Sequence, residues 1–178
     1  MPTHAPLWSR GAWRRPGTLV TVVLVLVLTA GVATIASCNI HEVGHAVTAT
    51  MMGWDVERIH LCLPSEGRVV YASVGTWAGN LQGYAGGFLA ATFLVGVYLI
   101  VFARPARPLL SPAWWAAGLG LVLPVGPQVA VGMLEGLVLP GEDYTVRHAS
   151  LLPWLVTLSL AASAILYVWR WRAVWRSA

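Results

Sequence analysis

A chain of 178 residues that is 57% hydrophobic, only 10% charged and has a mean hydropathy of +0.69 lies outside the range of soluble globular domains and within that of integral membrane proteins. The net charge of +4 does not point to nucleic acid, because the arginines are scattered at the ends of apolar stretches with no basic groove or aromatic platform beside them. Two cysteines are too few for a disulfide framework.

Apolar runs of about the 20 residues that a spanning helix needs lie at 18–37, 81–102, 113–139 and 151–169. The expected fold class is therefore an all-α integral membrane protein with about four transmembrane helices, forming a single membrane-embedded domain over 1–178. The first helical pattern does not stop at the bilayer edge but continues from Thr18 to Met52, where Gly53 ends it. At 1.5 Å per residue His41 lies roughly 35 Å along from Thr18, close to the outer boundary unless the helix tilts or breaks around Ser37-Cys38-Asn39. Ile35-Ala36-Ser37-Cys38 resembles a bacterial lipoprotein cleavage box, but the apolar run before it is longer than a usual signal core, and Cys38 reads as a small buried thiol.

That helix carries the decisive motif. In His41-Glu42-Val43-Gly44-His45 the two histidines, four apart, share one helix face, and the glutamate beside the first reaches the same metal. Ionisable side chains this close to an apolar run cost several kcal/mol unless they have a partner or a task. The spacing predicts Zn2+ held by His41 and His45, with Glu42 as general base on a zinc-activated water. Gly44 leaves one side of the helix open to another helix or to substrate.

After Gly53, the alternation of Ile59, Leu61 and Leu63 with Arg58, His60 and Cys62, the turn Pro64-Ser65-Glu66-Gly67 and a β-prone run from Arg68 to Val74 predict a short β-hairpin beside the metal helix. The second span opens with Gly79, Gly83 and Gly87, a stripe that permits close helix packing. Pro124-Val125-Gly126-Pro127 removes two backbone donors within the third span and must kink or break it, as helices lining a membrane cavity often do. Gln128 follows, placed to hold a substrate backbone or to satisfy the freed carbonyls.

A catalytic zinc takes three protein ligands, so a third is required. Asp143 is the preferred residue, since it follows the third span through the Leu139-Pro140-Gly141 turn on the side of His45; Glu135, Glu142, His60 and His148 remain alternatives. Tryptophans 114, 115, 154, 169, 171 and 175 near the span ends read as an aromatic belt. Arg10, Arg14, Arg15, Arg104, Arg107, Arg170, Arg172 and Arg176 fall on one side with no acid among them, which places both termini in the cytoplasm.

With these residues in place, the chain resembles the site-2 protease family of intramembrane zinc metalloproteases, particularly its small bacterial members. The resemblance rests on His41-Glu42-Val43-Gly44-His45-Ala46 in a membrane helix, on Gly53-Trp54-Asp55-Val56-Glu57-Arg58-Ile59 as a glycine-led strand after it, and on Gln82-Gly83-Tyr84-Ala85-Gly86-Gly87 in the next span. It covers about residues 18–150 and implies a bacterial cell membrane, a zinc ligand from an aspartate in a later span, and Asp143 as the matching position. One departure is that the family commonly has Asp-Gly after an Asn- and Pro-rich stretch, whereas Tyr144 follows Asp143. The resulting expectation is a zinc-dependent intramembrane endopeptidase acting in the lipid bilayer on membrane-anchored protein substrates. The alternatives are a non-catalytic membrane subunit retaining the motif and a metal-handling or transport protein; the latter needs ligands but no adjacent base such as Glu42.

Overall fold

A computed structural model of the chain describes residues 16–63, 67–74, 79–102, 112–137 and 150–177. Helix α1 (Pro16–Met51) opens on a proline whose missing N–H costs nothing in the first turn. It runs unbroken through Ser37-Cys38-Asn39, and its 36 residues extend for about 54 Å, well beyond the ~30 Å of hydrocarbon in a bilayer. The hydroxyls of Thr21, Thr29, Thr34 and Thr50 donate to carbonyls one turn back, which pairs them within the helix instead of leaving them open on an apolar surface. Gly53, at φ 77°, stops the helix: its N–H donates to Thr50 O (3.0 Å) and that of Trp54 to Ala49 O (2.9 Å), a pairing that requires the left-handed conformation glycine adopts freely.

The chain then folds back along α1 as the antiparallel strands β1 (Asp55–His60) and β2 (Arg68–Ser73), with Ile59 opposite Val69 and His60 opposite Arg68. β1 is shorter than the alternation through Leu63 predicts. Residues 61–63 leave the ladder because the Cys62 N–H donates to Asn39 Oδ1 (2.9 Å) and its sulfur is bonded to Cys38. Cys38 is therefore half of a disulfide and not a free thiol, and that bond leaves it no sulfur for a lipid. The sequence hides this pairing because the two residues are 24 apart and meet only once the hairpin doubles back.

Among the described residues four further helices follow: α2 (Gly79–Val101), α3 (Pro112–Val122) and α4 (Val125–Gly136), which together make the broken third span, and α5 (Leu152–Ser177). The break falls at Leu123 and Pro124, as the prolines require. Pro127 then sits in the first turn of α4, where its N–H would have no helical partner anyway. Among the described residues, four stretches are long and apolar enough to cross a membrane: Gly17–Met51, Leu81–Val101, Pro112–Gly136 and Leu152–Arg172. Their outer faces expose Leu19, Leu28, Val32, Ile100, Ile165 and Leu166, a surface that hydrocarbon accepts and water does not. The protein is a mostly helical, multi-pass membrane protein with one small hairpin.

Two packing features position the rest. At one end, Tyr98, Phe102, Leu119, Tyr167 and Trp171 form an aromatic core, with the Tyr167 hydroxyl donating to Trp115 O (2.8 Å). Trp171 thus belongs to this core rather than to an interfacial belt, whereas Trp154 and Trp169 are exposed as belt residues are. Toward the other end, α2 lies between α1 and α4 at backbone contact distance. A Cβ on Gly83 would come within 2.7 Å of the Glu135 backbone, and one on Gly44 within 2.9 Å of Gly86 Cα. Only glycine permits both approaches, and they bring α4 up to the metal-motif face of α1.

Candidate metal centre

His41, Glu42 and His45 are all buried near the end of α1, and the two imidazoles meet edge to face with centroids 4.6 Å apart. Each ring is held by its Nδ1. His45 Nδ1 is 2.8 Å from the backbone oxygen of Gln82, which can only accept, so Nδ1 carries the proton. His41 Nδ1 lies 2.8 Å from Gln128 Oε1. The orientation of that amide follows from its other end: the Ser37 hydroxyl donates to Thr34 O (3.0 Å) and so accepts from Gln128 Nε2 (3.1 Å). Gln128 therefore does neither of the things its sequence position suggests; it orients a histidine.

With both Nδ1 atoms committed, both Nε2 lone pairs turn toward one point, and Glu135 of α4 fills the remaining side of it. Its Oε2 is 2.8 Å from His41 Nε2 and 3.2 Å from His45 Nε2, with the carboxylate largely buried. Two imidazole lone pairs and a carboxylate oxygen cannot face one another without positive charge between them, supplied either by protons or by a cation. Tetrahedral zinc with bonds of about 2.0–2.1 Å sets its ligand atoms roughly 3.3 Å apart, so a small expansion of this triangle accommodates the ion. The donor set, two neutral imidazoles and one carboxylate with both rings anchored from behind, fits zinc.

Of the residues expected from sequence, the structure brings together His41, Glu42 and His45. Asp143, the expected third ligand, lies outside the described residues, as do Glu142 and His148. His60 stands at the end of β1 opposite Arg68 and is not part of the group. Among the described residues, the acid that reaches the histidines is Glu135. A signal for it exists in the sequence: Glu135-Gly136 is an acid–glycine pair following Pro124 and Pro127, with glutamate where the pattern commonly has aspartate.

Glu42 faces the hairpin. A Cβ on Gly67 would come within 2.9 Å of Glu42 Oε1, and the Cys38 and Cys62 sulfurs lie within 4.8 Å of a Glu42 carboxylate oxygen. The disulfide thus pins the hairpin beside this carboxylate. From β2, the Tyr71 hydroxyl accepts a hydrogen bond from Gln82 Nε2, and Trp54 packs edge-on against the Tyr71 ring at 5.4 Å. Burial pushes the Tyr71 phenol well above its ordinary pKa, and the charge of Glu42 adds to the rise, so the group is a neutral donor at physiological pH.

One family model, described as Peptidase M50B-like, matches residues 16–139, a stretch containing His41, Glu42, His45 and Glu135. No curated protein and no solved structure matches the chain significantly.

Proposed function

The chain belongs to the Peptidase M50B-like group of the site-2 protease family of membrane metalloproteases, and from that premise we propose that it is a zinc-dependent endopeptidase cleaving membrane-anchored proteins in or beside the bilayer. The observation that carries this reading is the convergence of His41 Nε2, His45 Nε2 and Glu135 Oε2, with both Nδ1 atoms anchored and Glu42 buried alongside. His41 and His45 would hold the ion together with one carboxylate. Glu135 is the acid that the geometry favours, and Asp143 is its competitor. When bound, zinc lowers the pKa of water at its open position and polarises the scissile carbonyl.

The remaining steps belong to the chain. Glu42 takes the proton of the attacking water and returns it to the departing amine nitrogen, which leaves poorly as an anion. The hairpin covers one side of Glu42 and shields that proton transfer from bulk solvent. The substrate's own helix must unwind locally, since an intact helix holds its carbonyls in hydrogen bonds. A metal-transport protein would need the ligands but not a buried carboxylate adjacent to one of them.

The single membrane-embedded domain is part of the proposal, as is the orientation in a bacterial cell membrane with both termini in the cytoplasm. The Cys38–Cys62 bond supports that orientation, because disulfides persist on the oxidising side of a membrane. Reporter fusions at each terminus test it, and activity at an extracytoplasmic reporter would overturn it. The decisive experiment on function is cleavage of a membrane-anchored reporter by purified protein. Glu42→Gln should abolish cleavage while zinc content stays at the wild-type level; retained cleavage removes the proposal.

A further inference from the structure

We propose that Tyr71 is a further catalytic residue, whose phenolic O–H donates a hydrogen bond to the negative oxygen that develops on the scissile carbonyl as water adds to it. The inference rests on the endopeptidase reading and adds to it a group that lies outside the metal helix.

The requirement comes from charge. As water adds to the carbonyl carbon, its oxygen becomes an anion next to two carboxylates, Glu42 and Glu135, that already occupy the site. The opposing groups among the described residues are few, because both imidazole Nδ1–H groups are committed elsewhere, to Gln128 and Gln82. A neutral donor on the hairpin, near enough to feel the charge of both Glu42 and Glu135, supplies what the helices do not, and such donors act most strongly where water is excluded.

Tyr71 has the placement and the free proton. Gln82 uses its backbone oxygen to hold His45 Nδ1 and its side-chain amide to donate to Tyr71 Oη, so a single residue of α2 fixes the phenol and a metal-facing imidazole relative to each other. Because the amide nitrogen is a donor, Tyr71 Oη is the acceptor in that bond and keeps its own hydrogen to give. No acceptor for that hydrogen is found among the described residues. The ring cannot swing away easily: buried Trp54 lies perpendicular to it at 88°, and Trp54 is itself held by the closing turn of α1. Both carboxylates raise the affinity of the phenol for its proton, which keeps it a donor.

The test is Tyr71→Phe in the full-length protein, which removes the hydroxyl and keeps the ring against Trp54. With a membrane-anchored reporter, kcat should fall by about 100-fold, the usual effect of losing one oxyanion donor, with KM and zinc content near wild type. A second readout does not depend on turnover. An apolar phosphinic tripeptide, whose tetrahedral phosphorus carries the oxyanion, should bind Tyr71→Phe about 100-fold more weakly than wild type, while the matching reduced-amide tripeptide, which has no such oxygen, binds both equally. Wild-type turnover and unchanged phosphinic affinity in Tyr71→Phe overturn the proposal. So does loss of zinc, which would make Tyr71 a structural support, or equal weakening of both tripeptides, which would make it a general substrate contact. If wild-type protein binds zinc and the phosphinic tripeptide but cleaves no reporter, the endopeptidase reading falls, and the affinity comparison alone decides the role of Tyr71.

Discussion

Replacing Gln128 by leucine should weaken zinc binding without touching a ligand. The half-buried side chain lies between Ser37 and His41, accepting from His41 Nδ1 at 2.8 Å and donating to Ser37 Oγ at 3.1 Å. Leucine is close in volume, so the packing of α4 on α1 should survive, but the His41 Nδ1–H loses its acceptor inside an apolar helix bundle. An unsatisfied buried donor costs about 1–3 kcal/mol. In the metal-free protein His41 can recover part of this by rotating or changing tautomer, whereas ligation through Nε2 forces the proton onto Nδ1. Most of the penalty therefore falls on the metal-bound state, and at about 1.4 kcal/mol per decade it predicts roughly 10- to 100-fold weaker zinc binding, the range known for outer-shell partners of metal histidines. Competition against a chromophoric chelator in detergent measures this directly. Gln128→Glu, which still offers an oxygen to Nδ1, should retain wild-type affinity or exceed it. Wild-type affinity in Gln128→Leu would refute the assignment of Gln128 as the residue that orients His41.

The third ligand separates by metal analysis: Glu135→Ala should lose most of its zinc and Asp143→Ala should keep it, and the opposite result would return the ligand role to Asp143. Gly86→Ala places a methyl 2.6 Å from His45 Nε2 and 2.9 Å from His41 Cδ2, so zinc occupancy should fall by at least 10-fold, while Gly31→Ala, with open space around it, should bind normally; full occupancy in Gly86→Ala would show that the histidines face elsewhere. Removing the disulfide by Cys38→Ser with Cys62→Ser frees a 24-residue separation that is worth about 3 kcal/mol in chain entropy, and the melting midpoint in detergent should drop by roughly 5–10 °C. An unchanged midpoint would mean that the hydrogen bond from Cys62 N–H to Asn39 suffices to hold the hairpin.

What was legible in the sequence is what local chemistry dictates. A bilayer demands uninterrupted apolar runs, so the four spans stand out from composition alone; a helix places residues four apart on one face, so His41 and His45 declare a shared target. Pro124 and Pro127 announce their break because missing N–H groups have no remedy within a helix. The acid that completes the site was not fixed by such rules. Glu135 and Asp143 are both reasonable by sequence distance and by membrane side, and the choice between them depends on how closely α2 and α4 approach. That approach is set by Gly83, which sits against the backbone of Glu135 itself, and by Gly87 against Gly132. The glycine stripe was visible as a packing device, but what it packs, and which carboxylate the packing delivers, exists only in three dimensions.

The same reasoning explains why the hairpin's contribution was invisible. As a strand pattern, Arg68 to Val74 says only that half of its residues face inward, and nothing in the alternation marks Tyr71 as more than a β-prone aromatic. Its importance arises from the reversal at Gly53, which sends the chain back down the face of α1 that it has just climbed, so that residues after the motif return to the motif's own level. Cys62 reaches Cys38, Gly67 reaches Glu42 and Tyr71 reaches Gln82, all within one folded-back ribbon. The hairpin is thus a wall of the candidate metal centre rather than a cap above it. A wall built of strand can bring a neutral hydroxyl within reach of the charge of Glu42 and Glu135 without adding another charge to a site that must already neutralise them.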